Sequence, residues 1–116
     1  MQTHDMSTII YPVSLLVSDE YDRASKLHGK YFQTWHDGYG VIAEEVQEAI
    51  ECVVKVSKIM SVMLKTIRMD KGEDLIDCAD AIQDAAVECS AEMVQVAAMC
   101  KKMVLTVREA KDEAAV

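Results

Sequence analysis

Apolar residues recur in unbroken steps of four and three along two long stretches of the chain. Ile42, Val46, Ala49, Val53, Val56, Met60, Met63 and Ile67 form the first series. Leu75, Ala79, Ile82, Ala86, Cys89, Met93, Val96, Cys100, Met103 and Val107 form the second. Such spacing lays a stripe along one side of a helix and is the seam of helices packed at a shallow crossing angle. A strand would need alternation at period two, which neither stretch has. The pattern predicts one helix from about Asp37 to about Met69 and another from about Glu73 to about Lys111. Asp70-Lys71-Gly72 is the only strong break between them, so the two helices are expected to fold back as an antiparallel hairpin.

A shorter first helix is predicted from roughly Ser14 to Phe32, with Tyr21, Ala24, Leu27, His28 and Tyr31 as its buried stripe. Pro12 suits its first turn, and Ser18-Asp19-Glu20 offers an alternative start with a capping serine. Gln33-Thr34-Trp35-His36-Asp37-Gly38 reads as a connecting turn, with Asp37 as N-cap of the second helix. Residues 1–10 read as a loose arm, and Asp112 to Val116 as a fraying end. The first helix covers only part of the hairpin. Apolar residues off the main seam (Ile50, Val54 and Leu64, then Val87, Val94, Ala97 and Val104) make a second stripe that needs a partner. The expectation is therefore an all-α fold, residues 1–116 as one helical domain, whose four-helix-bundle core is completed by a homo-oligomer, dimer or tetramer.

Composition supports helices over sheets: aromatics are 5% of residues, with one proline and four glycines that all lie outside the long periodic segments. The formal net charge is −8, and Lys and Arg are scattered, with only Lys101-Lys102 adjacent. That balance disfavours a nucleic-acid partner. Lys55, Lys58 and Lys65 interrupt the apolar stretches, so no segment approaches the roughly 18 apolar residues of a membrane span. The four cysteines have no CxxC spacing, and the first residues lack a basic region followed by an apolar core. The chain thus reads as cytoplasmic with reduced thiols. Cys89 and Cys100, on the seam, read as small core residues.

Charge becomes informative at two places. Glu45 and Glu48 on the second helix, and Glu92 and Gln95 on the third, are spaced i, i+3, which puts each pair on one face. The hairpin sets Glu45 level with Gln95 and Glu48 level with Glu92, the outline of a metal site. Glu44, Glu45 and Glu48 repel one another in a helix otherwise rich in Val and Met. Convergent carboxylates together with substrate phosphates are a usual environment of Mg²⁺. Asp77 and Asp80 read as a solvated acidic face, and Asp84 and Glu88, closer to Glu92, fit either that face or the site. Glu51 and Lys55 read as an exposed i, i+4 ion pair.

The stretch His36-Asp37-Gly38-Tyr39-Gly40-Val41-Ile42-Ala43-Glu44-Glu45-Val46-Gln47-Glu48-Ala49 resembles the start of the metal-binding helix of the MazG-like nucleoside triphosphate pyrophosphohydrolases, in particular their small phage and Gram-positive branch. Asp19 to Ala24 and Lys26 to Phe32 resemble that branch's first helix and its basic, aromatic end. Ala91-Glu92-Met93-Val94-Gln95-Val96-Ala97-Ala98-Met99 resembles its closing segment. The likeness covers roughly residues 15–105. It implies a four-helix bundle assembled from dimers or tetramers, and Mg²⁺-dependent hydrolysis (Mn²⁺ as a substitute) of a nucleoside triphosphate to monophosphate and pyrophosphate. By position it makes Glu45, Glu48, Glu92 and Gln95 the metal ligands and Glu44 a candidate to orient or deprotonate the attacking water. Two departures stand out: the wider family has Asp where this chain has Gln95, and the gap between the motifs is long.

Positive charge to hold a triphosphate is sparse. Lys26 and Lys30, with Lys102 behind them, are the candidates, and each also fits an ordinary surface lysine. Trp35 is a candidate to stack on a base, or else covers the end of a helical core. His36 has no second histidine at zinc-binding spacing, and no G-x-x-x-x-G-K phosphate loop is present. Two other readings stay open: a non-catalytic relative that binds nucleotide or metal, for which Gln95 speaks, and a helical interaction module, for which the long seam suffices.

Overall fold

The computed structural model describes residues 5–115, with side chains described through residue 113. Three helices account for most of them: α1 (Ser7–His28), α2 (Trp35–Arg68) and α3 (Gly72–Ala115), with no strand among the described residues. The described residues fall into two compact units. Of these, residues 5–43 with 94–115 make up one, and Glu44–Met93 the other. They are called the terminal unit and the hairpin unit below.

In the terminal unit α1 begins at Ser7, so residues 7–10 are helical where a loose arm was expected; residues 1–4 lie outside the described residues. Asp5 Oδ1 accepts the Ser7 N–H at 2.9 Å, and Pro12 sits inside the helix instead of at its first turn. Tyr21 and Ala24 are buried as the pattern predicts, whereas Leu27, His28 and Tyr31 are exposed. The helix stops at Gly29, whose φ of 90° is open to glycine and strained for other residues. Beyond it the link to α2 is pinned residue by residue. The Tyr21 hydroxyl donates to the Lys30 carbonyl at 3.1 Å, and the Phe32 N–H donates to Thr106 Oγ1 at 3.0 Å. Thr34, not Asp37, caps α2: its Oγ1 accepts the Asp37 N–H at 3.0 Å. Asp37 instead lies in the first turn, where its charge opposes the helix dipole favourably. Gly38 is buried, and a Cβ there would meet Met103 Cε at 2.6 Å and the Phe32 ring at 2.8 Å. At the other end, α3 stays helical to Ala115, past the predicted fraying point.

In the hairpin unit α2 ends in a Schellman arrangement. The Lys71 N–H reaches the Thr66 carbonyl and the Asp70 N–H the Ile67 carbonyl, while Asp70 takes a φ of 55°. An aspartate tolerates that left-handed conformation better than most residues, so the turn uses Asp70 and leaves Gly72 to start α3. Glu73 and Asp74 follow in the first turn of α3.

Half of the predicted seam in this unit is displaced by one residue. Ala49, Val56, Met63, Leu75, Ile82 and Cys89 are buried or half-buried as expected. Between them, Cys52, Ile59 and Thr66 on α2, and Cys78 and Ala85 on α3, turn inward instead of Val53, Met60, Ile67, Ala79 and Ala86. Both sets satisfy steps of four and three, and they flank the same line on the helix. The inward set contains Ala, Cys and Thr, which let two backbones approach closely. The outward set holds the larger side chains: Val46 is 37% exposed, Val53 58%, Met60 51% and Ile67 54%. The off-seam residues Ile50, Val54, Leu64 and Val87 are exposed as well.

Candidate acidic metal centre

Three carboxylates converge where α2 and α3 of the hairpin unit meet. Glu45, Glu48 and Glu92 each bring one oxygen to within 4.8 Å of the other two. Helix periodicity explains the α2 pair, since i and i+3 lie one turn apart on one face. The antiparallel register supplies Glu92 from α3. The one-residue rotation of the seam matters here, because it turns Glu45 and Glu92 into half-buried positions while Val46 and Met93 face out. Glu48 stays exposed. Exposure of Glu48 and shielding of the other two suit a site that takes a ligand from solvent.

The electrostatics of the cluster favour a cation. A like-charge pair at this separation repels by on the order of 1 kcal/mol in water and roughly 3 kcal/mol at an effective dielectric of 20. Among the described residues, no Lys or Arg lies within ion-pair distance of Glu48 or Glu92. The Oε2 atoms of Glu45 and Glu92 are both shielded from solvent, and that of Glu92 has no hydrogen-bond partner. An unsatisfied buried carboxylate oxygen costs several kcal/mol. The donor set is all oxygen, with no histidine or thiol in the group, which matches hard divalent cations. The residues present therefore fit Mg²⁺ or Mn²⁺.

The other predicted site residues are distributed as follows. Glu44 belongs to the hairpin unit, beside Glu45 on α2, and is exposed. Gln95 lies in the terminal unit, one turn past Glu92 on α3, and is half-buried. Lys26, Lys30 and Trp35 belong to the terminal unit and are exposed.

Lys102 is not a surface lysine: it is 6% exposed. Its ammonium stands 4.6 Å from the centre of the Phe32 ring, a cation–π contact, and burial pushes its pKa down. Its carbonyl accepts the Thr106 hydroxyl at 2.7 Å, and that hydroxyl oxygen also receives the Phe32 N–H. Lys102 thus builds the terminal unit's core.

Two pairings escaped the sequence reading. Lys55 reaches across the hairpin to Glu88 at 3.9 Å, while Glu51 accepts from Gln47 at 3.4 Å, so the expected Glu51–Lys55 pair does not form. Cys52 and Cys89, both half-buried, face each other across the seam, and burial followed by the Cys89 thiol raises the Cys52 pKa. The signal for both was the register of the two helices: Lys55 and Cys52 on α2 stand opposite Glu88 and Cys89 on α3. Cys100, expected in the core, is exposed.

No family model matches the chain, and no curated protein or solved structure matches it. No helix among the described residues is long and apolar enough to cross a membrane.

Proposed function

We propose that the protein is a divalent-cation-dependent nucleoside triphosphate pyrophosphohydrolase, with Glu45, Glu48 and Glu92 as its metal ligands. The observation that carries this reading is the convergence of three carboxylates within 4.8 Å, one of them with a shielded oxygen that lacks a hydrogen-bond partner. The resemblance of residues 15–105 to MazG-like enzymes adds the substrate class and the bond cleaved, between the α and β phosphates. When bound, Mg²⁺ or Mn²⁺ supplies charge neutralisation to the phosphates and acidifies a water ligand. Glu44, exposed beside the cluster, serves as the group that orients or deprotonates the attacking water. Gln95, by the resemblance, stands where the wider family has an aspartate, and its amide carries no charge.

The exposed apolar stripe of α2 supports assembly of hairpins into a four-helix bundle. Beside the acidic cluster, Val46, Ala49, Ile50, Val53, Val54 and Met93 line an open groove of about 350 Å³ whose lining is apolar. A face of this kind is an interaction surface more often than a solvated one. Sedimentation at micromolar concentration is expected to give a dimer or tetramer, and a stable monomer would contradict the assembly.

The enzymatic reading is tested by pyrophosphate release from a panel of nucleoside triphosphates with Mg²⁺ or Mn²⁺. Release is expected from at least one, and Glu48→Gln and Glu92→Gln should each lower it by about 100-fold or more, since even partners behind metal ligands are worth 10–100-fold. Release unchanged in both variants sinks the site. Metal binding without any release would leave a binding protein, the outcome that Gln95 favours.

A further inference from the structure

A second pair of reactive side chains lies one helical turn from the carboxylates and plays no part in their chemistry. Cys52 follows Glu48 by four residues on α2, and Cys89 precedes Glu92 by three on α3, so both thiols stand on the same seam as the acidic cluster. Contacts on either side fix their level. Towards the cluster, oxygens of Glu48 and Glu92 come within 4.8 Å. Towards the turn, Lys55 Nζ meets Glu88 Oε2 at 3.9 Å. Cys52 and Cys89 face each other between those two contacts, both half-buried and both free thiols. Ala49 and Ala85, buried on the same seam, leave room for the two backbones to stay close.

The remaining cysteines have no such partner. Cys78 lies 3.9 Å from the Thr66 hydroxyl, not from a thiol. Cys100 belongs to the terminal unit and is exposed.

We propose that Cys52 and Cys89 form a reversible intramolecular disulfide across the hairpin when the chain meets a hydroperoxide. One thiolate sulfur attacks a peroxide oxygen, the O–O bond breaks, and hydroxide leaves and takes up a proton to become water. The sulfenic sulfur so formed is attacked by the second thiolate. Its S–O bond breaks, a second water departs, and the S–S bond closes. The two sulfurs lose two electrons and the peroxide gains them. An S–S bond is about 2.05 Å long, and rotation about the two Cα–Cβ bonds is the motion that brings thiols at one level of two facing helices towards it. A thiol reductant reverses the step by exchange through a mixed disulfide. The bond would join the two helices beside the carboxylates whether or not the nucleotide chemistry proposed above holds.

The test is oxidation of the reduced, full-length chain with hydrogen peroxide, followed by alkylation and peptide mapping without reductant. One cross-linked peptide pair containing Cys52 and Cys89 is expected, with two of the four thiols lost, Cys78 and Cys100 still alkylated, and dithiothreitol restoring all four. The oxidised chain should run as a single chain on a non-reducing gel and melt at a higher temperature than the reduced one. That shift should vanish in Cys52→Ser and Cys89→Ser. Recovery of Cys52 and Cys89 as free thiols or as separate sulfinic acids would overturn the proposal. So would bonds from either to Cys78, to Cys100 or to another chain. Because the mapping uses the unaltered chain, it decides the matter even where a serine variant fails to fold.

Discussion

The terminal unit and the hairpin unit share α2 and α3 but are built by opposite means. In the terminal unit a short link is fixed by a hydrogen bond from Tyr21, by one to Thr106 and by the Thr34 cap, and the core holds Tyr21, Ala24, Gly38, Ala98, Lys102 and Thr106. The hairpin unit buries only Ala49, Thr66 and Ala85 among its described residues. It turns large apolar side chains outward and two glutamates inward. The first unit spends its polar groups on stability. The second holds like charges together at some cost to stability, the trade expected where a ligand completes the structure.

That contrast can be broken by substitution. The largest effect should come from Glu92→Gln measured without divalent cations. Relieving the repulsion and the shielded charge should raise stability by about 1–3 kcal/mol, read by thermal or urea unfolding in chelator. A loss of stability would mean that the carboxylates hold the hairpin together. In the terminal unit Gly38→Ala should act in the opposite direction. Its Cβ would press on Met103 and Phe32, and overpacking by one methyl, less the gain in helix propensity, leaves a net loss of about 1–2 kcal/mol. Neutral or stabilising behaviour would show that the Phe32 contact yields easily.

The smallest effect is best seen as a pH dependence. Burial lowers the Lys102 pKa, so between its lowered value and the ordinary one near 10.5 the unfolded chain binds a proton that the folded chain does not. Stability of the unaltered chain therefore rises with pH across that window. Lys102→Met, which keeps the length without the charge, should be the more stable form at neutral pH, with an advantage that shrinks as pH climbs towards 10.5. An advantage that grows with pH would mean that the Phe32 ring contact outweighs the cost of burial.

Much of the fold was legible because periodicity reports helices directly: three helices, the break at residues 70–72 and the burial of Tyr21 and Ala24 follow from it. Which side of a wide apolar face turns inward was not legible. Val53 and Cys52 fit steps of four and three equally well, and hydropathy favours the valine. Close packing of two backbones favours the cysteine, a tertiary effect that no single helix reveals. The same rotation decided the acidic cluster. Glu45, Glu48 and Glu92 could be grouped from spacing and register, since both are backbone properties. Lys102 was misread because nothing in its local sequence reports burial until the link folds Phe32 over it. The α1 start was missed because Pro12 reads as a boundary, yet a proline early in a helix sacrifices only one hydrogen bond to the preceding turn.

The account rests on Glu45, Glu48 and Glu92 binding a divalent cation, and titration calorimetry with Mn²⁺ and Mg²⁺ tests it most directly. The unaltered chain should bind at least one ion per chain, competitively between the two metals. Glu92→Gln should remain folded and bind at least about 10–100-fold more weakly. Equal binding by the folded Glu92→Gln variant, or no binding by the unaltered chain, would contradict it.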